Sequence, residues 1–407
     1  MPHPGPPPHR TAGSPAAGNP SGHLTRRSAL FGLAAAFTLG RASLAFADAP
    51  TEHRFVVILL RGALDGLGAV VPYGDPSLAG LRGALLPPAP GQDGGMLELG
   101  GFYGLHPALG SLHAMYRDGE ALVAHAVAGP TRERSHFEAQ DCLESGADHR
   151  LASGWLNRAV AAIPGGKALA VGVSVPLLLR GPAAVGNWAP HGAAALDSDL
   201  YARIAALNAG DDLLGPAVAA GLRERGFSAA AMAGDEAGRN RSAFPALARA
   251  AGELLRAPDG PRIAALEIGG WDTHSAQGVR LAGALRQFDT GLAALRTGLG
   301  EAWRQTVVIA MTEFGRTVRL NGTGGTDHGT ASVAFLAGGA VAGGRVLADW
   351  PGLGPGRLLE DRDLQPTADL RALVKGVLAQ HLGVPGPALA AIFPDGGAAA
   401  VAGLVRA

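Results

Sequence analysis

Acids, imidazoles and a hydroxyl recur in this sequence just past its apolar runs, often beside glycine. Asp65 follows the run 55–60, Ser135 and His136 follow 121–127, Asp272 and His274 follow 263–268, and Glu313 follows 306–311. Asp327 and His328 stand a little further on, inside "GGTDHGTA". Carboxylate and imidazole together suit zinc, and a larger share of oxygen suits manganese, magnesium or calcium. Four carboxylates and two or three imidazoles could therefore converge on one edge of a sheet and hold metal there.

Each residue also has a plainer reading. Asp65 in "LDG" is a common turn residue. Ser135 with Glu138 three positions on forms a capping box, and a helix N-terminus there would also stabilise an anion. Asp272 and His274 in "GGWDTH" suit a turn as well as a ligand pair. Glu313 ends a buried run, where an unpaired charge is costly, which favours a cation beside it. Asp327 and His328 are the sharpest candidates, because glycine lets backbone come close to a bound group. His106, His113 and His125 read as helix or core histidines, and Cys142 as packing.

The elements that position these residues can be read from the apolar pattern. An unbroken apolar run at 55–60 suits a strand buried on both faces, and further strands are expected within 120–129, 167–174, 261–268 and 305–311. One or two further strands are expected within 332–346. Helical spacing is expected over 105–119, over 135–146, over 154–163 and through much of 200–258. From Val279 onward, Leu281, Leu285, Phe288, Leu292, Leu295 and Leu299 step by four and three, which predicts an amphipathic helix. A last helix is expected over 367–383, with Thr367 as its cap. Residues 72–107, rich in Pro and Gly, read as an irregular excursion. Strands alternating with helices predict an α/β fold, a mostly parallel sheet sandwiched by helices. Ligands in such folds bind outside the carboxyl ends of the strands, which is where the polar residues fall.

Composition narrows the partners. The 407 residues carry a formal net charge of zero, which argues against nucleic acid, since phosphate binding needs a basic surface. A single cysteine excludes an intrachain disulfide and a cysteine-based zinc site. Residues 1–23, rich in Pro, Gly and His, are expected to be disordered. Arg26 and Arg27 then precede an apolar run from Ala29 to Gly40, and Ala45 and Ala47 form an A-x-A cleavage site before Asp48. This is the pattern of a twin-arginine signal peptide, with an apolar run too short for the roughly 20 residues of a membrane span. The expected organisation is a leader over 1–47 and a single α/β domain over 48–407, periplasmic or secreted, with no membrane span after signal removal. The twin-arginine route carries folded proteins, often with a cofactor loaded, in keeping with a metal.

The motifs "LRGALDGLGAVVPYGD", "LHPAL", "SHFEAQDCLESG", "GWLNRA", "GGWDTH", "TEFGRT", "GTDHGTA" and "GGRVLADWPGL" resemble the exported bacterial family called domain of unknown function 1501, over about residues 54–394. That resemblance implies an alkaline phosphatase-like fold, shared with sulfatases and phosphomutases, and commonly a two-metal site. It implies Asp65 as the first metal-ligand Asp and Ser135 in the place of the nucleophile. It implies Asp272 and His274 as a later ligand pair, Glu313 in a ligand Asp position, His328 as a ligand and Asp327 as its neighbour. Phe314 stands where that superfamily usually has a His ligand, and no Cys-x-Pro-x-Arg stretch supports formylglycine chemistry. The expectation is a metal-dependent hydrolase of phosphate or sulfate-type esters, with zinc or manganese, or else calcium or magnesium. Ser135 would be its nucleophile and Arg316 would clamp the small anionic ester. Two alternatives stand beside it: a non-catalytic exported binding or assembly protein with an exported protein partner, and a phosphomutase-like transferase suggested by "GTDHG".

Overall fold

A computed structural model describes residues 51–189 and 234–406. The expected leader over 1–47 lies outside the described residues, as does most of the expected helical stretch before Gly234.

In chain order the first part comprises β1 (Arg54–Arg61), α1 (Gly66–Ala69), β2 (Val70–Val71), α2 (Leu78–Arg82), β3 (Leu97–Leu99), β4 (Tyr103–Leu105) and α3 (Gly110–Arg117). Then come β5 (Ala121–Ala128), α4 (His136–Ser145), α5 (Trp155–Ala162), β6 (Ala168–Val171) and β7 (Val185–Trp188). The remainder comprises α6 (Gly234–Arg256), β8 (Ile263–Gly269), α7 (Gln277–Leu299), β9 (Thr306–Met311) and β10 (Ser332–Ala337). It closes with β11 (Arg345–Leu347), β12 (Ala368–Asp369), α8 (Leu370–Leu382) and α9 (Gly386–Ile392).

The main sheet has the order β11-β5-β10-β9-β1-β8-β6-β7, with β12 also on β5. β1 runs parallel to both β8 and β9, and β6 runs parallel to β7 and β8. Among the described strands of this sheet β10 alone is reversed, antiparallel to β5 on one side and β9 on the other. β5 therefore points the same way as β1, β8 and β9. Their carboxyl ends share one edge, and the segment entering β10 arrives at that same edge. This geometry brings the loops after β1, β5, β8 and β9, and the one before β10, to a single rim.

β1 shows why the sheet is central. Its side chains alternate between faces with period two, and all eight residues are buried. Val56, Ile58 and Leu60 join one apolar core with residues of α3, α6 and α7. Phe55, Val57 and Leu59 join the other, with residues of α5, α8 and α9. The fold is thus α/β, a mostly parallel sheet sandwiched by helices. The stripe predicted on α7 is buried as spaced, while Val279 stands out of it at 83% exposure.

Local expectations shift in four places. The helix expected from Leu105 begins at Gly110, because Leu105 pairs with Val70 and Leu97 in a small antiparallel sheet. Leu105, Leu109, Leu112 and Met115 nevertheless face one core, which is what the helical spacing detected. The "irregular" stretch 72–107 contains α2 and that small sheet's β3 and β4. Thr367 is not the cap of α8: Asp369 is, its carboxylate accepting from the Arg371 N–H, while residues 368–369 pair with β5. Ser135 does occupy the cap position of α4, but its side chain makes no capping hydrogen bond. No described helix is long and apolar enough to cross a membrane.

Candidate metal centre

Three imidazoles meet one carboxylate at the rim. Asp272 and His274 follow β8, His136 opens α4, and His328 lies in the segment that enters β10. His274 Nε2 is 3.0 Å from Asp272 Oδ1, and His328 Nε2 is 3.3 Å from the same oxygen. The two Nε2 atoms are themselves 3.0 Å apart. His136 Nε2 approaches Asp272 Oδ2 at 3.6 Å, and His136, Asp272 and His328 present donor atoms all within 4.8 Å of one another.

The outer nitrogens settle the proton positions of the neutral rings. His328 Nδ1 is 2.8 Å from the Arg134 carbonyl, His274 Nδ1 is 3.1 Å from Asp327 Oδ1, and His136 Nδ1 is 2.8 Å from Glu313 Oε1. A carbonyl or carboxylate oxygen only accepts, so each Nδ1 carries the proton. Each neutral ring then turns the lone pair of Nε2 inward. Neutral rings so oriented set their lone pairs against the Asp272 carboxylate, a repulsion that a cation among them relieves, as does a proton on His136 in the metal-free protein. Acceptors behind inward-facing imidazoles are the usual outer shell of a metal site. The spacing of Asp272 Oδ1, His274 Nε2 and His328 Nε2 also matches a tetrahedron with bonds of about 2.0–2.1 Å, whose edges are about 3.3 Å. His136 Nε2 is buried without a hydrogen-bond partner, which a cation would supply. The donors fit a divalent metal.

The other residues singled out in the sequence stand around this group in different roles. Arg316 is fully buried and donates from Nη1 to Asp272 Oδ1 at 2.6 Å, while its Nε and Nη2 are taken by Thr326. It orients Asp272 instead of reaching out to an anion. Glu313 is buried behind His136, and its Oε1 also accepts from the Gly62 N–H and Gln140, with Thr312 on Oε2. Asp327 backs His274 and also accepts from Asn321. Asp65 is apart from the group: its carboxylate is fully buried and gripped by the fork of Arg82, with Nη1 at 2.5 Å and Nη2 at 2.9 Å. Ser135 is half-buried beside His136 in the chain, and no hydrogen bond joins its hydroxyl to the group among the described residues.

His136 is the residue that sequence reasoning left out of the ligand set. Its only local signal was its place directly after a strand end and at a helix start. Phe314, standing where a His ligand was expected, stacks on His136 with ring centroids 4.9 Å apart and helps to fix it. Two glycines of "GGTDHG", Gly325 and Gly329, serve close backbone contact, while Gly324 takes a positive φ of 69°. A Cβ on Gly325 would meet the His274 carbonyl at 2.3 Å, and one on Gly329 would meet the Arg316 backbone at 2.4 Å. They let the His328 segment lie directly against the Asp272 and Glu313 loops.

Burial lowers the pKa of His136, but Asp272 and Glu313 outweigh it and hold the metal-free ring up at about 9. At 3.6 Å Asp272 acts across a gap, by charge and not by a hydrogen bond. Burial likewise opposes ionisation of Glu313, yet His136 and Gln140 hold it down at about 2. Asp272 is held well below the usual carboxylate range by His136, His328 and Arg316, against its burial. Because the His136 pKa is raised above 6.5, its contribution is full below that value and is lost as pH rises through about 9. Thermal melts in EDTA should therefore fall across this window, and Glu313→Gln should flatten the fall. A wild-type profile that stays level contradicts the His136–Glu313 coupling.

The model of the family described as "Protein of unknown function (DUF1501)" matches residues 96–393. The chain belongs to DUF1501. Among curated proteins, none matches the sequence. Among solved structures, this DUF1501 chain is similar to the C-terminal periplasmic domain of EcEptC from Escherichia coli in complex with zinc, at 10% identity and TM-score 0.37, covering 72% of this chain and 75% of that one. It is similar to a protein in the alkaline phosphatase superfamily from Vibrio parahaemolyticus, at 11% identity and TM-score 0.32, covering 79% and 71%. It is also similar to the phosphonate monoester hydrolase of Agrobacterium radiobacter, at 12% identity and TM-score 0.29, covering 72% and 70%.

Proposed function

We propose that this DUF1501 chain is an exported protein with a single divalent metal, and that it uses the centre to hydrolyse anionic esters of the phosphate or sulfate type. The observation that carries the reading is the convergence of three inward-facing Nε2 atoms, from His136, His274 and His328, on Asp272. Nitrogen-rich donors favour zinc over calcium or magnesium, with manganese next. A bound divalent cation supplies Lewis acidity toward an ester oxygen. The chain's own residues hold the rest in place: Arg316 fixes Asp272, and Glu313, Asp327 and the Arg134 carbonyl fix the three rings. His274 and Asp327 are about half exposed, so the centre opens to solvent on their side. Ser135, unused as a cap, is the proposed nucleophile.

A non-catalytic binding protein is the second reading, and two contacts favour it. Arg316 is buried and committed to Asp272, so it offers an ester no clamp. Asp65 is committed to Arg82, so it offers no second metal a ligand.

The test is elemental mass spectrometry of protein purified without chelator, followed by a screen of phosphate and sulfate monoesters and diesters. About one equivalent of metal is expected, with turnover that Ser135→Ala abolishes. One equivalent without turnover on any ester supports the binding reading. No metal in wild-type protein, even after incubation with zinc or manganese, overturns the metal-dependent hydrolase and leaves the binding reading.

A further inference from the structure

One buried amide joins the two loops that carry the proposed ligands. Gln277 opens α7 and is buried, as are Asp65, Thr273 and Thr326 around it. Its Nε2 donates to Asp65 Oδ2 at 2.5 Å. Its Oε1 accepts from Thr273 Oγ1 at 2.9 Å and from Thr326 Oγ1 at 2.5 Å. Thr273 sits between Asp272 and His274, and Thr326 immediately precedes Asp327 and His328.

The chemistry allows the amide one orientation. An ionised carboxylate only accepts, so the NH2 group must face Asp65 and the oxygen must face the hydroxyls. The Asp65–Arg82 pair thereby fixes the amide, and the amide fixes both loops. Thr326 passes the constraint on, since its Oγ1 also accepts from Arg316 Nε while Arg316 Nη1 holds Asp272. The backbone adds a parallel contact, with the Thr326 N–H on the Thr273 carbonyl at 3.2 Å and the Gln277 N–H on the Gly324 carbonyl at 3.0 Å.

We propose that Gln277 is the positioning residue of the metal centre, setting the separation of the Asp272–His274 loop from the His328 loop through Thr273 and Thr326. The proposal rests on the metal reading above. Gln277 touches no proposed ligand itself and acts through the two threonines.

The experiment measures zinc affinity by chelator competition and the visible d–d spectrum of the cobalt-loaded protein, for wild type, Gln277→Met, Thr326→Val and Thr326→Ser. Methionine keeps the length of the side chain and removes the amide. Gln277→Met is expected to weaken zinc roughly 10–100-fold, the range of outer-shell changes, and to alter the cobalt band intensity. Thr326→Val should do likewise, and Thr326→Ser, which keeps the hydroxyl, should restore wild-type behaviour. Wild-type affinity and spectrum in Gln277→Met overturn the proposal. If Gln277→Met does not fold, equal affinity in Thr326→Val and Thr326→Ser overturns it instead. A wild-type chain that binds neither zinc nor cobalt fails at the metal reading, a different outcome from a wild type that binds and a variant that binds equally well.

Discussion

Asp272→Asn is expected to empty the centre of metal without unfolding the protein. Asp272 is the carboxylate that all three imidazoles approach, so its charge is the main attraction for a cation there. Asparagine keeps an oxygen for Arg316 Nη1, now at 2.6 Å from Asp272 Oδ1, and the buried guanidinium retains a partner. The loss of affinity should exceed the roughly 10–100-fold of an outer-shell change, because a ligand and its charge both go. Asp272→Ala should behave differently. It leaves Arg316 buried with its charge uncompensated, a situation that costs on the order of 3–5 kcal/mol. Metal content and urea denaturation of the two variants separate these effects. A full equivalent of metal in Asp272→Asn would falsify the assignment of the centre.

Arg82→Ala is expected to be the most damaging single change away from the centre, at about 3–5 kcal/mol of stability. It leaves the Asp65 carboxyl group wholly buried without its guanidinium, with Gln277 as its remaining side-chain partner among the described residues. Arg82 also spans to the Val318 and Thr317 carbonyls, at 2.7 and 2.8 Å, so those acceptors lose their donors too. Replacing both members, Arg82→Met with Asp65→Leu, should recover much of the loss, because removing a buried pair entire strands no charge. Asp65→Asn should still hold about as much metal per chain as wild type. If Asp65→Asn instead drops from two equivalents to one, Asp65 is a ligand after all and Arg82 must yield to a second ion. Denaturant melts and elemental analysis of the same preparations read both outcomes.

The architecture was open to sequence reasoning because its signals are local. An unbroken apolar run such as Phe55–Leu60 can be satisfied only between two covered faces, and the four-and-three stepping from Leu281 to Leu299 only along a helix. The rule that ligands gather past strand ends then pointed to the rim where these acids and histidines meet, since it depends only on strand direction. Where local signals compete, the reading slipped. Leu105 obeys the helical spacing of its neighbours yet belongs to a strand, because a core face continues across the turn between them. Thr367 and Asp369 are both capping types, and the pairing of 368–369 with β5 decided between them.

The division of labour among the acids was settled by the tertiary structure. Asp65, Asp272, Glu313 and Asp327 have the same chemistry and similar settings in the chain. Their roles differ by which cation or ring each one meets across the fold. Asp65 meets Arg82, Asp272 meets Arg316 and three imidazoles, Glu313 meets His136, and Asp327 meets His274. Those partners come from segments up to 177 residues away, as with His136 and Glu313. The sequence by itself determined an α/β sheet with acids and histidines at one rim, because periodicity and strand ends are properties of short stretches. Only the tertiary structure decided that His136 faces the centre and Asp65 does not, because charge and lone-pair geometry act through space and not along the chain.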